Sequence, residues 1–213
     1  MKRKLLALSL MLACVVCALS PAEAFSQRRR RGDARRGAGQ RPRVTVEGVN
    51  ARFNQIADAY LRGYYAFNPT EATASGLHQY DAQLESRGRD EVAREVRRLR
   101  ATLAALARIW EGALTEEARL DYRVLISHAQ AQLLELEETR MWQRDPNVYN
   151  RLAAASIDNI LKRNYAPIEQ RLDSMLARER EVTRLLAEAR ANLDNPPRIY
   201  TEMALGQVRG SLD

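Results

Sequence analysis

Cysteine is almost missing from this sequence: Cys14 and Cys17 are the only two. Both lie in an apolar run that reads as an export signal, so the mature protein would carry no thiol. That excludes disulfides, thiol catalysis and a zinc ribbon, even in an oxidising destination. Histidine is equally scarce. His78 and His128 are far apart and neither has a second histidine one helical turn away, so the paired-histidine zinc helix does not occur. There is no Gly-x-Ser-x-Gly elbow, no Ser-x-x-Lys helix start and no glycine-rich phosphate loop. Nor is there a run of alternating β-branched residues, which removes strands from the expected fold.

The beginning of the chain is not globular. Met1 to Ala24 starts with Lys2-Arg3-Lys4, continues through an apolar stretch from Leu5 to Leu19, and reaches Ala22-Glu23-Ala24, a small-x-small triplet suited to signal peptidase. Residues 1–24 therefore read as a signal peptide, the apolar stretch being shorter than the roughly twenty residues a membrane span needs. Leu12-Ala13-Cys14 faintly resembles a lipid-attachment box, but Met11 is a poor leading residue and the apolar run continues past the cysteine. Residues 25–44 read as a disordered arginine-rich linker, with almost nothing to bury and strong self-repulsion. It is either a solvated spacer or an electrostatic tether to anionic envelope polymers or lipid head groups.

The net charge of +7 changes meaning once divided along the chain. Three basic residues and one acidic residue fall in the signal, and eight arginines against Asp33 fall between Phe25 and Arg43, which leaves Val44 to Asp213 at −2. The part expected to fold is not basic, so nucleic acid is not an expected partner.

Residues 45–213 are organised by helical periodicity. Val49, Phe53, Ile56, Tyr60, Gly63 and Phe67 form one stripe, with Gly63 expected to admit a close backbone. That helix should end at Asn68-Pro69. A second stripe, Val92, Val96, Leu99, Leu103, Leu106 and Trp110, predicts a helix over 90–111 with Asp90 as N-cap and Gly112 as its stop. Thr115 should cap a third helix running to about Trp142, with Tyr122, Leu125, Ile126, Ala129, Leu133 and Leu136 inward. Mid-helix His128 reads as a structural or surface residue. After Asp145-Pro146-Asn147 a shorter helix from Val148 to about Arg163 turns Leu152, Ile157, Ile160 and Leu161 inward. Beyond Asn164-Tyr165-Ala166-Pro167 the stripe is Ile168, Leu172, Met175, Glu179, Val182, Leu186, Ala189 and Leu193. Glu179 interrupts it, either as an edge residue paired with an arginine or as a buried carboxylate. A last helix should begin near Ile199 and has barely three turns before Asp213. The expected fold class is all-α: about five long antiparallel helices and the start of a sixth, with the domain expected to be cut short.

One irregular stretch stands between these helices, Asn68 to Asp81. Within it His78, Tyr80 and Asp81 could place an imidazole, a phenol and a carboxylate together in a substrate-cleft loop. Alternatively it is a packed connection in which Asp81 caps a turn and Tyr80 anchors the loop.

Several segments together resemble a known family. They are Glu71-Ala72-Thr73-x-x-Gly76-x-His78-x-Tyr80-Asp81, Leu120-Asp121-Tyr122-x-x-Leu125, Trp142-x-x-Asp145-Pro146-x-x-Tyr149, Arg163-x-Tyr165-Ala166-Pro167, and the run from Ala189 to Pro197. Taken together they resemble the start of the bacterial family called domain of unknown function 885. The resemblance implies an exported protein, periplasmic or extracellular, well over twice this length. Its later part is similar to gluzincin-type zinc metallopeptidases, with a His-Glu-x-x-Pro-Gly-His-His-like motif. That motif has no counterpart here, so no catalytic, cofactor or metal residue is carried over. What is implied is an N-terminal helical portion, inactive alone, whose partner is the missing catalytic part and whose zinc belongs to that part. The competing expectation is a non-catalytic helical binding or scaffold module at the cell envelope.

Overall fold

The computed structural model describes residues 45–210. The signal segment and the arginine-rich linker through residue 44 lie outside the described residues. Those described are all-α, with no strand among them.

Helix α1 spans Val46–Phe67 and buries Val49, Phe53 and Tyr60, as its stripe requires. Thr45 caps it, its hydroxyl accepting from the Gly48 amide at 3.1 Å. Gly63 does meet a close neighbour, but it is a side chain and not a backbone: an added Cβ would stand 2.6 Å from Nη1 of Arg98. Pro69 does not begin an irregular loop. It occupies the first turn of a short helix α2, Pro69–Ala74, where its missing N–H and fixed φ do no harm. Gly76, at φ 85°, then ends α2. Its amide bonds the Thr73 carbonyl at 3.0 Å and the Leu77 amide bonds that of Ala72 at 2.9 Å, the paired bonds of a left-handed helix stop. A single 3₁₀ turn, His78–Tyr80, follows.

Helix α3 is Arg89–Leu106, entered from Gly88, so Asp90 lies inside the first turn and is not the cap. The helix stops before the expected Gly112, and the turn that follows buries Ile109 while Trp110 points to solvent at 68% exposure. Helix α4, Glu116–Leu133, is capped by Thr115 as expected. It does not run on to Trp142: a π-helical turn, Leu134–Thr139, and a left-handed Arg140 break it. Helix α5 is one turn, Met141–Arg144. Then come α6, Asn147–Leu161, α7, Ile168–Asn192, and α8, Arg198–Gly210.

Two cores result. In the first, α1, α3 and α4 enclose Phe53, Tyr60, Leu99, Leu106, Tyr122 and Leu125. In the second, α6 packs along α7 around Leu84, Tyr149, Leu185 and Ala189.

Helix α7 departs most from its sequence pattern. The face it buries is Arg171, Arg178, Leu185 and Asn192, one residue every second turn, with Ala189 beside them. Of the expected stripe, Val182, Ala189 and Leu193 do pack on the second core, but Leu172 and Leu186 lie one residue, about 100°, round from the buried arginines and leucine and, with Ile168, are about half exposed. Glu179 is exposed on that outer side. Leu161, expected inward at the end of α6, also faces solvent.

Candidate functional site

The irregular stretch after α1 is fastened from across the second core by a buried guanidinium. Arg178 has no exposed surface. Its Nε donates to the Gln83 carbonyl at 2.8 Å, and its Nη1 to that of Ser156 at 3.2 Å. Nη2 donates to the carbonyls of Pro69 and Tyr80, both at 3.3 Å, and to the Thr73 hydroxyl at 2.6 Å. Thr73 in turn donates to Oδ1 of Asp81 at 2.7 Å, and Nδ1 of His78 donates to Oδ2 at 3.1 Å. Burial pushes the Arg178 pKa down, while Glu85 and Asp81 act to hold it up. Lone guanidinium charges are costly to bury; this one is spread over five acceptors.

The His78 ring stacks on Tyr165, centroids 3.6 Å apart and planes within 10°. Burial, with Asp81 nearby, pushes the Tyr165 hydroxyl up to about 12. Arg163 donates to the last carbonyls of α2, and Arg171 caps the end of α6 through the carbonyls of Ile160, Leu161 and Arg163. His78 and Asp81 are thus brought together. Tyr80 stands apart from them, its ring facing Tyr65 and its carbonyl accepting from Arg178. Asp81 is buried, whereas the His78 side chain keeps 39% of its surface exposed.

On the other side of α2 a cleft of about 710 Å³ opens between the two cores. The residues Asn68, Thr70 and Glu71 contribute to it, but His78, Tyr80 and Asp81 do not. His128, read from the sequence as structural or surface, lines the cleft from α4. Its Nδ1 shares a 2.8 Å hydrogen bond with the Tyr60 hydroxyl, which burial pushes up to about 12. Trp142, Leu152 and the buried Arg87 complete much of the wall. Periodicity gives no means of finding Arg87, Arg171, Arg178 or Asn192. Their only trace is the seven-residue spacing of the last three with Leu185, in a chain crowded with surface arginines.

Among the described residues no three His, Cys, Asp or Glu side chains are placed to hold a metal ion. These residues do not fit the zinc that the resemblance implies, and no step through a metal is assigned to them.

Residues 69–213 match the family model described as bacterial protein of unknown function, DUF885. The chain belongs to this family. In this DUF885 chain the segments that carry the resemblance meet in space: Thr73, His78 and Asp81 with Tyr165, and Tyr149 with Asn192 through a 3.1 Å hydrogen bond. No curated protein matches the chain. A solved structure, described as "a putative lipoprotein of unknown function from Shewanella oneidensis", is similar at 29% identity and a TM-score of 0.68. The match covers 74% of this chain but 29% of that one. No helix of the described residues is long and apolar enough to cross a membrane.

Proposed function

We propose that this chain is the N-terminal helical part of an exported zinc-dependent hydrolase of the peptidase kind, walling its substrate cleft and contributing no catalytic group. The observation that carries this reading is the exterior of α7 and α8. Leu172, Leu176, Leu186, Ile199 and Met203 each keep between 41% and 58% of their surface exposed. On α7 these leucines lie outward while Arg171, Arg178 and Asn192 face in beside Leu185 and Ala189. The helix thus carries apolar residues on both sides, a distribution that suits a helix packed on both. The length of the Shewanella structure, of which this chain spans 29%, supplies chain enough to cover that exterior. The resemblance supplies the zinc peptidase.

The neighbour's description as a lipoprotein supports an envelope location, and the apolar run from Leu5 to Leu19 supports export. The arginine-rich segment would then hold the protein to anionic polymers or lipid head groups.

The test uses the 213-residue chain and a longer DUF885 protein. The chain alone, given zinc, should cleave no peptide and should bind a hydrophobic dye. Glutamate at the longer protein's counterparts of Leu172 and Leu186 should abolish any hydrolysis that protein shows. Chelator-sensitive cleavage by the 213-residue chain itself would overturn the reading. A cooperative melt with no dye binding would favour a self-sufficient envelope module instead.

A further inference from the structure

The cleft between the two cores contains a buried positive charge that no carboxylate neutralises directly. Arg87 is 9% exposed and lines the cleft wall. Its Nη1 donates to the Phe67 carbonyl at 3.0 Å and its Nη2 to Oδ1 of Asn68 at 2.8 Å. The guanidinium lies over the Phe67 ring, 4.2 Å from the centroid. All of these partners are neutral. Glu85, Glu95 and Glu188 act on Arg87 from a distance, yet none pairs with it among the described residues, and burial pulls its pKa down.

None of the nearer carboxylates reaches Arg87 among the described residues, although Oε2 of Glu85 is itself buried without a hydrogen-bond partner. Oε1 of Glu85 accepts from the amide and hydroxyl of Thr70, Glu95 holds Arg98 in a two-pronged pair, and Glu188 takes Ser86, the Arg87 amide and Arg184. A buried guanidinium with spare N–H groups and only neutral partners favours an anion that brings its own charge.

Two further features narrow what that anion can be. Arg151 adds a second positive charge to the lining, 4.0 Å from Asp145 and largely exposed. Glu71 and Glu135 line the same cleft, so its fixed charges balance and a multiply charged anion is opposed. Between the charges the wall is apolar, through Trp142 and Leu152. We propose that this cleft is a binding site for a small organic monocarboxylate, its carboxylate on Arg87 and its apolar body along Trp142 and Leu152. This does not depend on the hydrolase reading, since it needs neither zinc nor any residue beyond those described.

The sequence has two tryptophans, and the exposed Trp110 does not line the cleft, so Trp110→Phe leaves Trp142 as the reporter. Its fluorescence is followed on titrating that chain with hydrocinnamate, with the neutral hydrocinnamyl alcohol and with inorganic phosphate. Hydrocinnamate should give a saturable change, and the alcohol should bind at least about tenfold more weakly. Phosphate should neither bind nor compete. Arg87→Gln should weaken hydrocinnamate by about tenfold or more. Because Arg87 also braces the end of α1, two variants on α6 are added, one at the exposed Arg151 and one at Leu152, which packs on the second core. Each is first checked for the parent's circular dichroism and thermal melt. Arg151→Gln should weaken binding by about threefold, and Leu152→Glu, which adds a like charge to the wall, should remove it. Equal binding of the alcohol, competition by phosphate, no saturable change, or unaltered affinity in the Arg151 and Leu152 variants would each overturn the proposal.

Discussion

Arg178 and Thr73 lie 105 positions apart in the chain and are joined by a 2.6 Å hydrogen bond inside the protein. Through that bond α7 holds α2 and the turn leading to Asp81. Replacing Arg178 with methionine would leave the buried carbonyls of Ser156 and Pro69, and the partly buried ones of Gln83 and Tyr80, without this donor. We expect a loss of at least about 3 kcal/mol in urea unfolding. Lysine, with a compact charge and fewer directed donors, should recover only part of it. A methionine variant as stable as the parent would remove Arg178 from its place as the brace.

Leu185 and Leu186 are sequence neighbours with opposite fates. Leu185 has no exposed surface, whereas Leu186 is 48% exposed. Leu185→Ala should cost about 2 to 5 kcal/mol. Leu186→Ala should stay within about 0.5 kcal/mol of the parent. Chemical denaturation of the two variants side by side reads the orientation of α7 directly, and equal losses would mean that the helix is turned the other way.

Two glycines make a matched pair. Gly76 sits at φ 85° with open space around its Cβ position, so Gly76→Ala meets no clash but is held in left-handed geometry. It should destabilise by about 1 to 2 kcal/mol. Gly206, inside α8, also has open space and carries no such φ. Gly206→Ala should raise stability by up to about 1 kcal/mol through helix propensity. Shifts of opposite sign in thermal melts are the expected outcome.

Alkaline unfolding follows from Tyr60. Its hydroxyl is pushed up to about 12 by burial, against 10.0 for an ordinary tyrosine. The folded state therefore holds this proton more tightly than the unfolded state. Its stabilising effect is complete below pH 10 and is lost as pH rises toward 12. Tyr60→Phe should flatten this part of the decline, seen by circular dichroism alongside tyrosinate absorbance. An unchanged slope would mean that Tyr60 ionises as freely folded as unfolded.

The first core was legible because its helices obey the simplest rule, apolar residues inward. Phe53, Tyr60, Leu99, Leu106, Tyr122 and Leu125 are all where periodicity put them. Ile109 and Trp110 exchanged places because α3 ends early, at Leu106, and the turn that follows resets the register. The second core was misread for a deeper reason. In α7 the residues that fit inside are those able to satisfy backbone carbonyls left open by α2, its following turn and the end of α6, and arginine does so better than leucine. Hydrophobic periodicity cannot register those arginines, and of the apolar stripe it does give, Leu172 and Leu186 face out while Val182, Ala189 and Leu193 pack on the core. The loop was legible as a place where polar groups gather, and His78 and Asp81 do meet. The cleft was not, because it is assembled from α1, α2, α4 and α6, whose contributions are scattered through the sequence.

The account turns on whether the outward stripe of α7 is covered in longer members of the family. The direct measurement is maleimide labelling of a single cysteine placed by Leu186→Cys, in a chain whose Cys14 and Cys17 are replaced by serine. In the 213-residue chain the thiol should react nearly as fast as in denaturant. At the matching position of a longer DUF885 protein it should be protected until that protein is unfolded. Equally fast labelling in both folded proteins would contradict the account.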